Sequence, residues 1–146
     1  MPIHNSSIEM AQLKLIKSVF AVNADYRSPE GRISIGVSLK NNGEFLDDGR
    51  RAHFIQHFKT GTPETAPFFL DVEFGALFFL DPPPLPLEWP HYVRQVLPQL
   101  VFPYLREYVA EITRRGGFTP LIINHNVFGG EEAEPDQNND GPKWMH

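Results

Sequence analysis

Six histidines and 18 acidic side chains are the groups in this 146-residue chain that could carry catalytic or metal chemistry. His53 and His57 are four residues apart, a spacing that chelates a metal ion on a helix. Their segment has the pattern of a strand, in which residues i and i+4 lie ~13 Å apart at ~3.3 Å per residue. The two side chains cannot share an ion in that geometry. We therefore expect no metal site and interpret both as surface histidines of a strand.

Asp71 and Glu73 are the second candidate pair, because they point the same way from one predicted strand, ~6.6 Å apart. Paired carboxylates do acid–base work only in a cleft that gives them opposed environments. Two other interpretations stay open: solvated charges on a sheet face, or a docking surface for a basic partner. The sequence contains no phosphate-binding glycine loop, G-x-S-x-G or H-E-x-x-H motif. We therefore expect a protein that is not an enzyme and uses no cofactor.

Composition narrows the class of protein further. The chain has no cysteine, which excludes a disulfide framework, a thiolate metal site and a cysteine nucleophile. Its formal net charge of −5 disfavours nucleic acid as a partner, since such binding is driven by clustered Lys and Arg. No apolar run approaches the ~18 residues of a membrane span, and the first residues lack the pattern of a signal peptide. We expect a cytoplasmic protein without membrane insertion.

The hydrophobic pattern predicts strands first and a helix afterwards. Strand patterns cover residues 8–26, 32–40, 51–60 and 66–80, with turn signals at Asn41–Gly43 and Asp47–Gly49. Val101, Leu105, Tyr108 and Ile112 then follow a helical spacing. Pro103 predicts that this helix is kinked or split, and Gly116 and Gly117 predict its end. The order predicts an α+β fold, a four-stranded antiparallel sheet followed by a long helix.

Two regions are expected along the chain. Residues 1–128 contain all the predicted strands and the helix, and form one domain. Residues 129–146 hold five acidic side chains among Gly, Pro, Gln and Asn, and are expected to form a disordered acidic tail.

Phenylalanine is the unusual feature of the composition, with 12 of the 18 aromatic residues. In residues 66–80 the even positions are uniformly apolar, so one face of this strand is expected to be buried. The odd positions mix Asp71 and Glu73 with Phe69, Leu77 and Phe79. Once the even face is buried, these last three lie exposed unless another chain covers them. They are the candidates for binding a client or another chain.

The segment of the predicted helix resembles a known protein family. Leu97–Glu107 (LPQLVFPYLRE) resembles the Phe-Pro-Tyr-x-Arg-Glu hallmark of the SecB protein-export chaperones. Arg114–Leu121 and Asn126–Phe128 resemble the stretches that follow it in the family, and Phe68–Val72 resembles the family's last strand. The resemblance covers most of residues 8–128 and is strongest in the C-terminal third.

The resemblance implies a sheet-and-helix protomer in a homo-oligomer, a dimer of dimers with the helices between two eight-stranded sheets. It also implies an ATP-independent holdase that binds unfolded preproteins and passes them to the translocation motor SecA. SecA docks on an acidic sheet face, where Asp71 matches a docking residue and Glu73 lies beside it. Phe69 is implied to lie on that outer side. The residues implied to face the helices and the oligomer interface are Leu70, Val72, Phe74, Leu105 and Tyr108.

The chain departs from the family in two places. Ser18 and Val22 stand where the first strand of the family carries acidic docking residues, and Gly129–Gly130 with the acidic tail replaces a second helix. Holdase function is therefore better supported than delivery to SecA. Two alternatives stay open: a SecB-like chaperone dedicated to one client, such as a toxin–antitoxin pair, and a non-catalytic ligand-binding or structural domain.

Overall fold

The computed structural model describes residues 7–26, 35–61 and 66–124. Within them, one antiparallel sheet is formed by β1 (Ser7–Val22), β2 (Val37–Leu46), β3 (Arg51–Thr60) and β4 (Phe68–Asp81). The strand order is β1-β4-β3-β2, so β1 and β2 are the edges. The long helix (Leu97–Arg115) follows the sheet in the chain. The predicted α+β fold is confirmed.

Two bulges in β1 explain why its sequence alternates imperfectly. The pairing with β4 shifts between Met10 and Gln12 and again between Leu15 and Lys17. Each bulge inserts a residue and exchanges the two faces of the strand. The residues that pair with even positions of β4 are Ile8, Met10, Leu13, Leu15, Ser18, Phe20 and Val22.

The turn predicted at Asn41–Gly43 is wrong, because β2 runs through these residues. Asn41 lies opposite Gln56 in β3 and accepts a hydrogen bond from its side chain, Nε2 to Oδ1 at 2.9 Å. Gly43 leaves room for Val93, whose Cγ2 would lie 2.8 Å from a Cβ at this position. Contacts from outside the strand thus keep these turn-prone residues extended. The turn at Asp47–Gly49 is confirmed, with positive φ at all three residues.

The long helix covers the even face of β4 and forms the core with it. Phe68, Leu70, Val72 and Phe78 have at most 1% of their surface exposed, as the even-face pattern predicts. The helix contributes Leu97, Val101, Phe102, Leu105 and Val109 to the same cluster. The sheet therefore has an inner face under the helix and an outer face on its other side.

Three short helical turns, Pro86–Glu88, Trp89–His91 and Tyr92–Val96, connect β4 to the long helix. The predicted break at Pro103 does not divide that helix, which is continuous around it. Pro103 is exposed, so its ring displaces no core residue. The helix ends at Arg115, and from Gly116 the chain turns and returns Leu121 and Ile123 to the core.

Several sequence-based expectations fall outside the described residues. They include the first part of the predicted strand 32–40, residues Asn126–Phe128 and the acidic tail 129–146. The division into a domain and a tail therefore stays a prediction.

Candidate functional site

The odd positions of β4 lie on the outer face, as predicted, but they do not form one surface. Phe79 is 41% exposed, and Phe69 and Leu77 are half-buried. Eight residues separate Phe69 from Leu77, which is ~26 Å along a strand. Leu77 and Phe79 are neighbours, whereas Phe69 lies at the opposite end of the sheet beside Ala21. The client-binding role of all three stays a prediction.

Two isoleucines extend the apolar surface around Leu77. Ile55 lies opposite Gly75 in the neighbouring strand. Ile16 lies over Gly75, since a Cβ at that glycine would come 2.6 Å from Ile16 Cδ1. We call Ile16, Ile55, Leu77 and Phe79 the outer apolar cluster. The sequence pattern did not reveal Ile16 as an outer residue because it lies at the bulge that changes the parity of β1.

Asp71 is buried and paired, in contrast to the solvated carboxylate that its position on the face predicts. Its Oδ1 is 2.6 Å from His57 Nε2, and its Oδ2 is 3.0 Å from Lys17 Nζ. Burial acts to raise the pKa of Asp71. The hydrogen bonds from His57 and Lys17, together with their charges, outweigh burial and hold that pKa below its ordinary value of 3.8.

Basic side chains surround the two carboxylates, whereas an acidic docking face should be surrounded by few of them. Glu73 lies between His57 and Lys17 in the register, and Lys59 lies opposite Asp71. Ser18 and Val22 lie in the row that faces the helix; the outer residue of β1 beside Glu73 is a lysine. The docking role of Asp71 and Glu73 stays a prediction, but Asp71 already has two partners.

His53 and His57 lie in a strand, β3, as their sequence pattern predicts. His53 and His57 lie on the same face of β3, opposite Leu77 and Glu73. Among the residues that the structure describes, no group of three His, Cys, Asp or Glu side chains could hold a metal ion. None of the helices in the described residues combines the length and the hydropathy of a membrane-spanning segment.

Most of the residues expected at an oligomer interface are covered within the single chain. Leu70, Val72 and Leu105 have no exposed surface, because the long helix and the sheet cover each other there. Phe74 is 7% exposed and packs edge-on against Tyr108 with ring centroids 5.9 Å apart. Only Tyr108 keeps appreciable surface for a partner, so the other four act first as core residues. Their interface role stays a prediction.

The free edge of the sheet offers a more accessible surface for self-association. β1 pairs only with β4, which leaves its other side without a strand among the described residues. Four of its apolar side chains, Leu15, Ile16, Val19 and Val22, are 41–53% exposed. A long edge strand with exposed apolar side chains is a template for pairing with another chain. Only the register showed this edge, because strand order cannot be read from alternation.

Comparison with known proteins identifies the class of protein. The family model for the preprotein translocase subunit SecB matches residues 17–130. The chain belongs to the SecB family.

Individual relatives agree with the family. The protein-export protein SecB of Dinoroseobacter shibae is 35% identical over 107 residues, which are 73% of this chain and 53% of that protein. SecB of Cereibacter sphaeroides is 33% identical over 66 residues, 45% of this chain and 39% of that protein. The matched regions thus span about half or less of the length of these relatives.

A solved structure shares the fold. A SecB-like chaperone of Mycobacterium tuberculosis, in complex with a peptide from an antitoxin, has a TM-score of 0.62 and 20% sequence identity to this chain. The similarity covers 80% of this chain and 86% of that one.

The ion pairs of Asp71 make a testable prediction about pH. Because the folded-state pKa is lowered, the stabilisation by the carboxylate is fully present above the unfolded pKa of ~4 and is lost as pH falls through the folded pKa. We expect Asp71→Asn to reduce the free energy of unfolding by ~1–2 kcal/mol at neutral pH, allowing for the exposure of Lys17. The difference from the unmutated protein should shrink below pH ~4.

Thermal unfolding, followed by circular dichroism between pH ~2 and ~7, measures the stability of the unmutated protein and of Asp71→Asn under the same conditions. Glu73→Gln is the matched control, since Glu73 lies on the same face and forms no salt bridge with any described residue. A loss on Asp71→Asn that stays constant down to the lowest pH would contradict the prediction.

Proposed function

We propose that this protein is an ATP-independent holdase that binds unfolded polypeptides in the cytoplasm through apolar side chains on the outer face of its sheet. The observation that carries the proposal is the outer apolar cluster. Phe79 and Ile16 are 41% and 51% exposed, and no described element covers them. An exposed apolar patch of this kind marks a surface for a partner. Membership of the SecB family supports a chaperone, and the net charge of −5 favours its solubility.

An aggregation assay without ATP tests this proposal. The protein, at several-fold molar excess, should suppress the aggregation of a chemically denatured substrate. Leu77→Ser/Phe79→Ser should weaken client binding by roughly tenfold or more, since a fully buried apolar side chain contributes ~1.5–3 kcal/mol. Tyr104→Ser is the matched control, because Tyr104 is an exposed aromatic residue on the long helix with 46% exposure. Absence of suppression by the unmutated protein would refute the holdase.

We further propose that the protein assembles as a dimer of dimers, supported by the free apolar edge of β1. The solution mass, measured by light scattering, should be about four times the 16.7 kDa of one chain. A strict monomer without affinity for an apolar dye would instead favour the ligand-binding or structural alternative.

Clients are proposed to be preproteins for export, as the name of the curated relatives supports. A chaperone dedicated to one client is the second candidate, because the solved SecB-like chaperone holds an antitoxin peptide and because the outer face carries lysines beside Asp71 and Glu73. Binding to SecA, measured by calorimetry, separates the two. Glu73→Lys is the informative variant for that measurement, since Asp71→Lys also removes the pairs with His57 and Lys17.

A further inference from the structure

An open groove of about 300 Å³ lies at one corner of the outer face, where β2 begins and β3 ends. Three basic or titratable side chains line it, Lys40, His57 and Lys59, with Thr60 and Gly61 at its end. The outer apolar cluster begins at Ile55, two residues from His57 on the same face of β3, so the groove borders the cluster without sharing a residue with it. Its charge identifies the kind of ligand that it fits.

The positive charge of the groove is not neutralised by the described part of the chain. Lys40 and Lys59 form no salt bridge with any described residue. Lys59 lies opposite Asp71 in the register, but that carboxylate is within salt-bridge distance of His57 and Lys17 instead. Two lysines with an adjacent cavity therefore favour an anionic occupant, and several carboxylates on one segment would match them best.

The chain itself contains such a segment. Five of its 18 acidic residues fall between Glu131 and Asp140, a stretch without Lys or Arg that lies outside the described residues. No other stretch of ten residues in the sequence has as many acidic residues without a basic one. Because the segment belongs to the same molecule, its effective concentration at the groove is set by the connecting chain and not by the protein concentration.

Phe118, six residues before Asn124, lies at the end of the sheet where the groove lies. Phe118, just after the long helix, packs on Phe68 with ring centroids 4.8 Å apart. Two residues further along β4, the amide of Leu70 donates to Thr60 Oγ1 at 2.9 Å, and Thr60 lines the groove. From Asn124, the last described residue here, an extended connection to Glu131 reaches up to ~25 Å.

We propose that the acidic segment Glu131–Asp140 docks on the groove formed by Lys40, His57 and Lys59, on the outer face of its own sheet. Docking places carboxylates beside the two lysines, which have no salt bridge with a described residue, and adds negative charge to the face that carries Asp71 and Glu73. The segment then competes with any acidic partner for this corner. This inference does not depend on holdase activity and is tested without a client.

A spin label tests it in the full chain, because the absence of cysteine allows a single labelling site at Ala133→Cys. We expect a roughly twofold or greater loss of amide signal at Ser38, Lys40, Lys59 and Gly61 at ~0.1 M salt, and its recovery at ~1 M, where charges are screened within ~3 Å. Changing the five acidic residues to Gln or Asn should also restore the signal. A label at Glu107→Cys, on the exposed side of the long helix, is the control and should leave these amides unchanged.

Mixing spin-labelled chains with isotope-labelled, cysteine-free chains identifies the source of the segment. Broadening within one chain supports the proposal, whereas equal broadening between chains would assign the groove to the segment of a second copy and overturn it. Unchanged groove amides in both samples would overturn it as well. Lys40→Ser/Lys59→Ser supplies an independent check, since it should abolish the broadening while leaving the circular dichroism spectrum unchanged.

Discussion

Replacing Phe58 with alanine is expected to lower the free energy of unfolding by ~3–5 kcal/mol, whereas Phe79→Ala should lower it by ~1 kcal/mol or less. Phe58 has no exposed surface and lies opposite Val72 on the inner face, under the long helix. Its truncation loses the transfer free energy of the ring and leaves a cavity in a closely packed core. Phe79 is on the outer face and 41% exposed, so truncation removes less buried area and leaves no closed cavity.

Chemical denaturation of both variants measures the difference between their free energies of unfolding. In the client-binding assay we expect the order of the two effects to be reversed. Phe79→Ala should weaken client binding, while Phe58→Ala should leave it unchanged under conditions where the variant is folded. A Phe79→Ala variant as unstable as Phe58→Ala would show that the exposed ring serves the core. The proposed client-binding surface would then lose its main residue.

Gly49→Ala is expected to lower the free energy of unfolding by ~2–4 kcal/mol, through backbone strain together with a steric clash. Gly49 has φ +94, a conformation that residues with a Cβ rarely adopt. A Cβ here would also lie 2.9 Å from the carbonyl oxygen of Pro84. That oxygen accepts a hydrogen bond from Trp89 Nε1, and Trp89 stacks on Phe45 at 4.9 Å between ring centroids. The substitution therefore disturbs the contact between β2 and the connector that leads to the long helix.

Two other glycines separate the causes of this loss. Gly117 has φ +93 but nothing within 4 Å of its Cβ position, so Gly117→Ala should cost only the strain, ~1 kcal/mol. Gly36 also has nothing within 4 Å of its Cβ position, and its φ is not in the left-handed region. Gly36→Ala should therefore change stability by less than ~0.5 kcal/mol. Thermal denaturation of the three variants gives the ranking. Equal losses at Gly49 and Gly117 would show that the clash with Pro84 is relieved elsewhere.

The local sequence predicted an element correctly wherever the residues of that element alone decide its structure. Even positions of β4 are buried because a strand exposes alternate side chains to opposite faces, and this needs no knowledge of its neighbours. The turn at Asp47–Gly49 was recognisable because Asp and Gly tolerate positive φ. The same criterion failed at Asn41–Gly43, where the partners that keep the chain extended, Gln56 and Val93, are distant in sequence.

The α+β order of elements, the buried face of β4 and, through the helix motif, the family follow from the sequence. The composition of the outer face depends on how the strands are paired. The bulges of β1 exchange its faces and bring Ile16 and Lys17 outward, beside Gly75 and Asp71. The pairing of β3 with β4 then buries Asp71 against His57 and leaves Lys59 without a carboxylate partner among the described residues. Alternation fixes the two faces of a single strand, whereas the charge and exposure of a sheet surface depend on the register between strands that are distant in the chain.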